Sequence, residues 1–136
     1  MFSKTRLPMF IGLMSVALGV VCVEAGVAPG PQTSAVTVVK MGADHKFNPE
    51  KITIKAGQTV EWDNEEPNGI HQVTTDENIA ADPGDVSNPD GAQAFDSKLM
   101  KTGQSFKHQF TVPGVYKYTC PPHENMGMSG QVTATK

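Results

Sequence analysis

Along residues 35–136 apolar and polar positions alternate with a period of two in short runs, the pattern of strands that bury one face. Ile52 and Ile54 share a face, as do Phe106, His108 and Phe110, and as do Tyr116, Tyr118 and Cys120. Runs rich in β-branched and aromatic residues at 35–41, 51–55, 59–62, 71–75, 105–112, 115–120 and 131–135 are the expected strands. Turn formers divide them at Asn48-Pro49, Ala56-Gly57, Thr102-Gly103 and Pro113-Gly114. No helix of useful length is signalled. The pattern predicts an all-β fold, an antiparallel sandwich or barrel of seven to eight strands, with Trp62 in its core or as a lid near a site.

Three segments fall outside this pattern. Residues 76–94, DENIAADPGDVSNPDGAQA, form a long acidic stretch full of turn residues, read as a solvated insertion or, more sharply, as a docking surface. Residues 26–34 are a Pro/Gly/Ser-type lead-in, expected to be flexible. Residues 1–25 read as a signal peptide: Lys4 and Arg6 make a basic start, Leu7 to Val23 carries no charge, and Val23-Glu24-Ala25 offers a cleavage site. The uncharged run is short for a membrane span and contains Pro8, so no stable membrane insertion is expected after cleavage. Such a short leader, without the Ser- and Arg-rich character of a plastid transit peptide, points to the periplasm, with lumenal or extracellular alternatives.

Composition changes the picture in two ways. Cleavage would remove Cys22 and leave Cys120 as a single thiol, so an exported domain would carry an unpaired sulfur into an oxidising compartment. Metal coordination would protect it. The whole chain has a net charge of −3, and loss of Lys4, Arg6 and Glu24 would make it −4, which argues against nucleic acid or an anionic membrane as partner. Basic proteins remain candidates.

The densest chemistry is CPPHENMGM at 120–128, where a thiol, an imidazole and two thioethers share nine positions. Thiolate and thioether are soft donors and imidazole is borderline, a set that favours copper over magnesium, calcium or manganese. Cys120 ends a strand, and His123, Met126 and Met128 follow on one loop, so a further donor must come from another loop at the same end. His71, which opens HQVTT after a turn-rich stretch, is the best candidate. His45 sits in the charged turn DHK, and His108 shares a face with two phenylalanines; both read first as non-ligands. Structural zinc usually takes Cys and His alone and would want a second cysteine. A cysteine nucleophile would need a base and an orienting group that C-x-x-H does not supply, and covalent haem would need C-x-x-C-H. Packing alone leaves the composition of the loop unexplained.

Taken together these segments resemble the cupredoxins, small blue copper proteins, especially the plastocyanin, pseudoazurin and amicyanin group. HKFNPEKITIKAGQTVEWDNEE is similar to that family's F-x-P-x-x-I-x-V-x-x-G-x-T-V-x-W-x-N segment. FDSKLMKTGQSFKHQFTVPGVYKYTC resembles its run into the ligand cysteine, and CPPHENMGMSGQV its ligand loop, so the resemblance covers residues 35–136. It implies a Greek-key cupredoxin-like β-sandwich or barrel and one mononuclear type 1 copper site held by His71, Cys120, His123 and an axial methionine. Met128 is preferred to Met126 because Met128-Ser-Gly-Gln-Val matches the family's return into the last strand. Where the family commonly has Asn after the upstream histidine this chain has Gln72, and Ile70 replaces a common proline, so Asn64 and Gln72 are the expected supporting residues.

The implied function is an electron carrier with no catalytic residues, shuttling single electrons between a donor and an acceptor protein, as a monomer. Electrons would pass through the edge of His123, framed by Pro122, Met126 and Gly127. Glu124, Asp63, Glu65, Glu66 and the acidic 76–94 stretch would steer a basic partner. The alternative from a different class is a copper carrier or chaperone using Met100, Met126 and Met128; these donors are few and form no Met-rich tract.

Overall fold

The computed structural model describes residues 35–136; the expected signal peptide and lead-in lie outside the described residues. Nine strands are present among them: β1 Val36–Met41, β2 Phe47–Asn48, β3 Lys51–Lys55, β4 Thr59–Asn64, β5 Ile70–His71, β6 Met100–Lys101, β7 Ser105–Gln109, β8 Gly114–Thr119 and β9 Ser129–Thr135. They form a four-stranded sheet ordered β2-β1-β4-β7, a three-stranded sheet β3-β9-β8, and a two-stranded ribbon β5-β6. The arrangement is a sandwich and not a closed barrel.

Two expectations are corrected. The sheets are mixed rather than antiparallel, because β1 pairs with β4 and β3 with β9 in parallel. Pro49, which has no N–H for a ladder, separates β2 in one sheet from β3 in the other, and β4 then returns beside β1. The strand expected at 71–75 shrinks to β5. Beyond it the backbone bonds scatter: Val73 N donates to Ser97 Oγ, Thr74 N to Thr119 O and Thr75 N to Phe95 O, so no single neighbour supports a ladder. The two-residue strands β2 and β6 were not signalled in the sequence and raise the count above eight.

The alternation places the core as expected. Along β4 the buried positions are Val60, Trp62 and Asn64. Trp62 is fully buried and is a core residue, not a lid, ringed by Tyr118, Phe95, Phe106 and Phe110 at centroid separations of 5.4 to 6.2 Å. His108 stacks on Phe95 at 4.1 Å, and burial lowers its pKa. Gly130 on β9 leaves room for the Tyr118 ring, since a Cβ there would stand 2.5 Å from Cζ. Gly130→Ala is expected to destabilise the domain by about 1–3 kcal/mol through overpacking, read as a lower denaturant midpoint with unchanged slope.

Strands β4, β5 and β8 all deliver their C-terminal ends to one edge of the sandwich. There β8 runs into Cys120, and the loop to β9 opens with a short 3₁₀ turn, Pro121–Met126, that the sequence did not signal. The two prolines stand at its first positions, where a missing N–H costs nothing. Gly127, at φ 76°, ends it in the left-handed region that glycine adopts without strain.

Candidate metal centre

At that edge the structure brings His71, Cys120 and His123 together, with one donor atom from each lying within 4.8 Å of the others. Cys120 Sγ is 3.8 Å from His71 Nδ1 and 3.5 Å from His123 Nδ1. Metal–sulfur and metal–nitrogen bonds of about 2.3 and 2.0 Å opened to a trigonal plane would put sulfur and nitrogen about 3.7 Å apart, so the donors are spaced to share one ion. His71, Cys120 and Met128 are fully buried, whereas Met126 is 58% exposed. His45 and His108 are not in the donor cluster.

Each donor is positioned by an identifiable device. Cys120 N donates to Met128 O and His123 N to Cys120 O, which closes the loop on itself, and Thr119 Oγ1 also donates to Met128 O. The backbone N–H of Gln72 points at Cys120 Sγ from 3.3 Å, while its side chain donates to Asp96 Oδ1. Gln72 therefore meets the sulfur through its backbone, whatever its side chain. Asn64 ties the turn before His71 to β6: Nδ2 donates to Gly69 O and Met100 O, and Oδ1 accepts from Glu66 N.

Glu66 and Glu124 depart from what the sequence suggested, and His45, a non-ligand as expected, has an orientation the sequence did not signal. Glu66, expected to be a steering charge, turns inward and sets Oε2 2.8 Å from His71 Nε2, off the line of a well-aligned N–H···O bond. It is the charged group that meets that imidazole, which the Gly42 backbone also faces. Gly69 makes room for it, since a Cβ there would collide with the Glu66 side chain, and Thr102 Oγ1 fixes the turn by donating to Glu66 O. His45 is held at φ 50° and lays its ring over His123, with centroids 4.2 Å apart and Nε2 3.8 Å from Glu66 Oε1. Glu124 is 9% exposed and faces away from solvent. No spacing signal marks these three, because each acts through the direction a turn gives its side chain.

Burial pushes the Cys120 thiol above its ordinary range, opposed by the Gln72 and His123 backbone N–H groups. Burial also lowers His71, against the pull of Glu66, and lowers His123, helped by the neighbouring His45 and His71. All three shifts favour the uncharged forms of these groups. Cys120 would hold a metal as its thiolate, so metal uptake would release the thiol proton to solvent.

A sandwich that gathers one thiol and two imidazole nitrogens at a strand edge defines a single-ion, soft-donor metalloprotein. Residues 34–135 match the family of copper binding proteins described as the plastocyanin/azurin family. Plastocyanin of Scenedesmus fuscus is 35% identical over 100 residues, covering 70% of this chain and 95% of that one. Plastocyanin of Nostoc punctiforme is 35% identical over 114 residues, covering 76% and 77%. Among solved structures, an oxidized methionine-to-leucine mutant of amicyanin is 31% identical with a TM-score of 0.56, covering 81% of this chain and 87% of that one. The chain belongs to the plastocyanin/azurin family, and it is a cupredoxin whose cofactor is copper.

Proposed function

We propose that this protein is a type 1 copper electron carrier, with His71, Cys120 and His123 as equatorial ligands and Met128 as the axial one. The observation that carries this reading is the pair of Nδ1 atoms 3.5 and 3.8 Å from a buried thiol. The burial of Met128 beside the exposure of Met126 supports the choice of methionine. Copper bound there supplies the one-electron Cu(I)/Cu(II) couple. The chain's own residues hold the donors still. The sheet ends, the closed 120–128 loop and the prolines Pro121 and Pro122 leave little to rearrange when the charge changes, and Cys120 and His71 are shut off from water.

The proposed exit for the electron is the half-buried His123, beside Pro122, Met126 and Gly127, all exposed. Plastocyanins and amicyanin are electron carriers rather than enzymes, which fits a site with its donors enclosed. The donor and acceptor are proposed to be redox proteins met by a monomer in the periplasm, after removal of residues 1–25. Among the described residues no helix is long and apolar enough to cross a membrane.

Steering falls to a smaller set of charges than the sequence implied. Glu66 and Glu124 are turned inward, and Glu65 pairs with Lys40 at 2.7 Å. Glu77, Asp82, Asp85 and Asp90 stay exposed on the 76–94 stretch. That stretch touches the copper loop through Glu124 at Ala81 and Asp82, whereas Ser87 pairs with Lys117 and Pro89 packs on Gly114 at the far end of β8, so Glu77 and Asp82 are the charges that support a basic partner at the proposed exit. The bimolecular electron-transfer rate with a basic redox protein should fall about tenfold or more from low to high ionic strength. Changing Glu77 to Gln and Asp82 to Asn together should weaken the dependence, and a flat wild-type rate would remove the steering proposal.

A further inference from the structure

The acidic stretch 76–94 is held in its second half by the Ser87–Lys117 backbone pair and the bond from Asn88 Nδ2 to Thr75 O, and in its first half by a side chain of the copper loop. Glu124 Oε2 accepts from Ala81 N at 2.8 Å, and Oε1 accepts from Asp82 N at 2.7 Å. A count of the backbone donors around this point shows why the carboxylate fits. Ile79 N and Ala80 N both donate to Asp76 O in the turn before it. Gly84 N donates to Asp82 Oδ1 and Asp85 N to Asp82 O in the turn after it, and Pro83 has no N–H. Between the two turns only Ala81 and Asp82 keep free N–H groups. They are consecutive, and Glu124 gives each of them one oxygen.

On the other side of the contact the copper loop has little else to hold it. The backbone bonds of 120–128 close mainly within the loop, from His123 N to Cys120 O, Gly127 N to Glu124 O and Met128 N to His123 O. Among the described residues, the hydrogen bonds that side chains of 121–127 make to another segment are those of Glu124. His123 therefore stands between two fixed points, Cys120 at the end of β8 and Glu124 one residue on, and its own backbone departs from the helical turn at φ −127°. From this we infer that Glu124 is a positioning residue for the copper site, clamping the loop so that His123 stays on the metal, and that the clamp and the metal tighten one another. The inference rests on the copper reading above. It assigns the 76–94 stretch a structural role in metal retention besides any role in docking.

Glutamine is the informative replacement. It keeps the size of Glu124 but presents an NH₂ group to one of two N–H donors, so one bond is lost and a donor is left unpaired. Glu124→Gln should speed release of Cu(I) to a chelator about 10-fold or more, within the range seen when a group supporting a metal ligand is removed. A residue that only stabilised the fold would lower the melting temperature and leave the release rate and the copper EPR parameters at wild-type values.

A second measurement needs no variant. Because coupling is reciprocal, Cu(I) must protect what Glu124 clamps. In the wild-type protein, hydrogen exchange of the Ala81 and Asp82 amides should slow about 10-fold or more on going from apo to Cu(I) protein, while the Ser87 amide, bonded to Lys117 O, should not change. Equal exchange in the two forms, or wild-type release kinetics in Glu124→Gln, overturns the inference while leaving a blue wild-type protein as a copper carrier. A wild-type protein that takes up no copper overturns both.

Discussion

Replacing Cys120 by serine is expected to remove the thiolate-to-copper absorption and with it most of the stabilisation that copper gives the fold. The sulfur is fully buried and lies within 3.5 to 3.8 Å of both imidazoles, so the substitution changes the donor without opening the site to solvent. A serine hydroxyl is a hard donor that keeps its proton at neutral pH, whereas copper in this setting needs a soft anionic ligand. Any ligand that binds only the folded state stabilises it by mass action, about 4.1 kcal/mol at a thousandfold excess over the dissociation constant. For a domain of this size that corresponds to roughly 15–30 °C in melting temperature. The wild-type protein should show a copper-dependent rise of that order, and the variant should melt at one temperature with or without copper. Equal copper-dependent shifts in both proteins would remove Cys120 from the ligand set.

The second large effect is expected at Glu66. Its carboxylate meets the buried Nε2 of His71 at 2.8 Å, so truncation to alanine removes the charged group that supports this imidazole and leaves it only the Gly42 backbone. Copper affinity should fall about 10- to 100-fold. Removal of a negative charge also disfavours Cu(II) more than Cu(I), so the reduction potential should rise. Gly69→Ala offers an independent route to the same geometry. Its new Cβ would collide with the Glu66 side chain and push the carboxylate aside while keeping its charge nearby. Affinity should then drop in both variants, with the larger rise in potential in Glu66→Ala. Unchanged copper affinity in both, measured by competition with a chelator, would mean that His71 holds its orientation without Glu66.

The clustered His71, Cys120 and His123 and the supports Asn64 and Gln72 could be read from the sequence, whereas the inward turns of Glu66 and Glu124 could not, and the difference has a physical basis. Cys120, His123 and Met128 belong to a loop whose residue types have no simpler purpose, and His71 follows from needing a donor at the same strand edge. Glu66 and Glu124 look like any solvated carboxylate in a chain with 14 acidic residues. Only the turn geometry, Gly69 beneath one and the paired N–H groups of Ala81 and Asp82 above the other, turns them inward. His45 reads as a residue of a charged turn until its left-handed backbone carries the ring over His123.

The fold divides in the same way. Alternation along Val60, Trp62 and Asn64 or Tyr116 and Tyr118 tells which face is buried, and it does so correctly. It carries no information about which strand lies alongside, and so the parallel β1–β4 and β3–β9 pairs were missed. The stretch Gln72–Thr75 has strand composition and complete burial, yet its backbone is shared among Ser97, Phe95 and Thr119. Propensity describes a residue's fit to a pleated surface, and here the surface is assembled from three segments.

The central claim is that one copper ion is held by the Cys120 thiolate and the imidazoles of His71 and His123 with a weak axial thioether. The visible and electron paramagnetic resonance spectra of the Cu(II) protein test it most directly. An intense blue thiolate-to-copper band with narrow copper hyperfine splitting, at one copper per chain, is the predicted result. A pale protein with the wide splitting of tetragonal copper would contradict it.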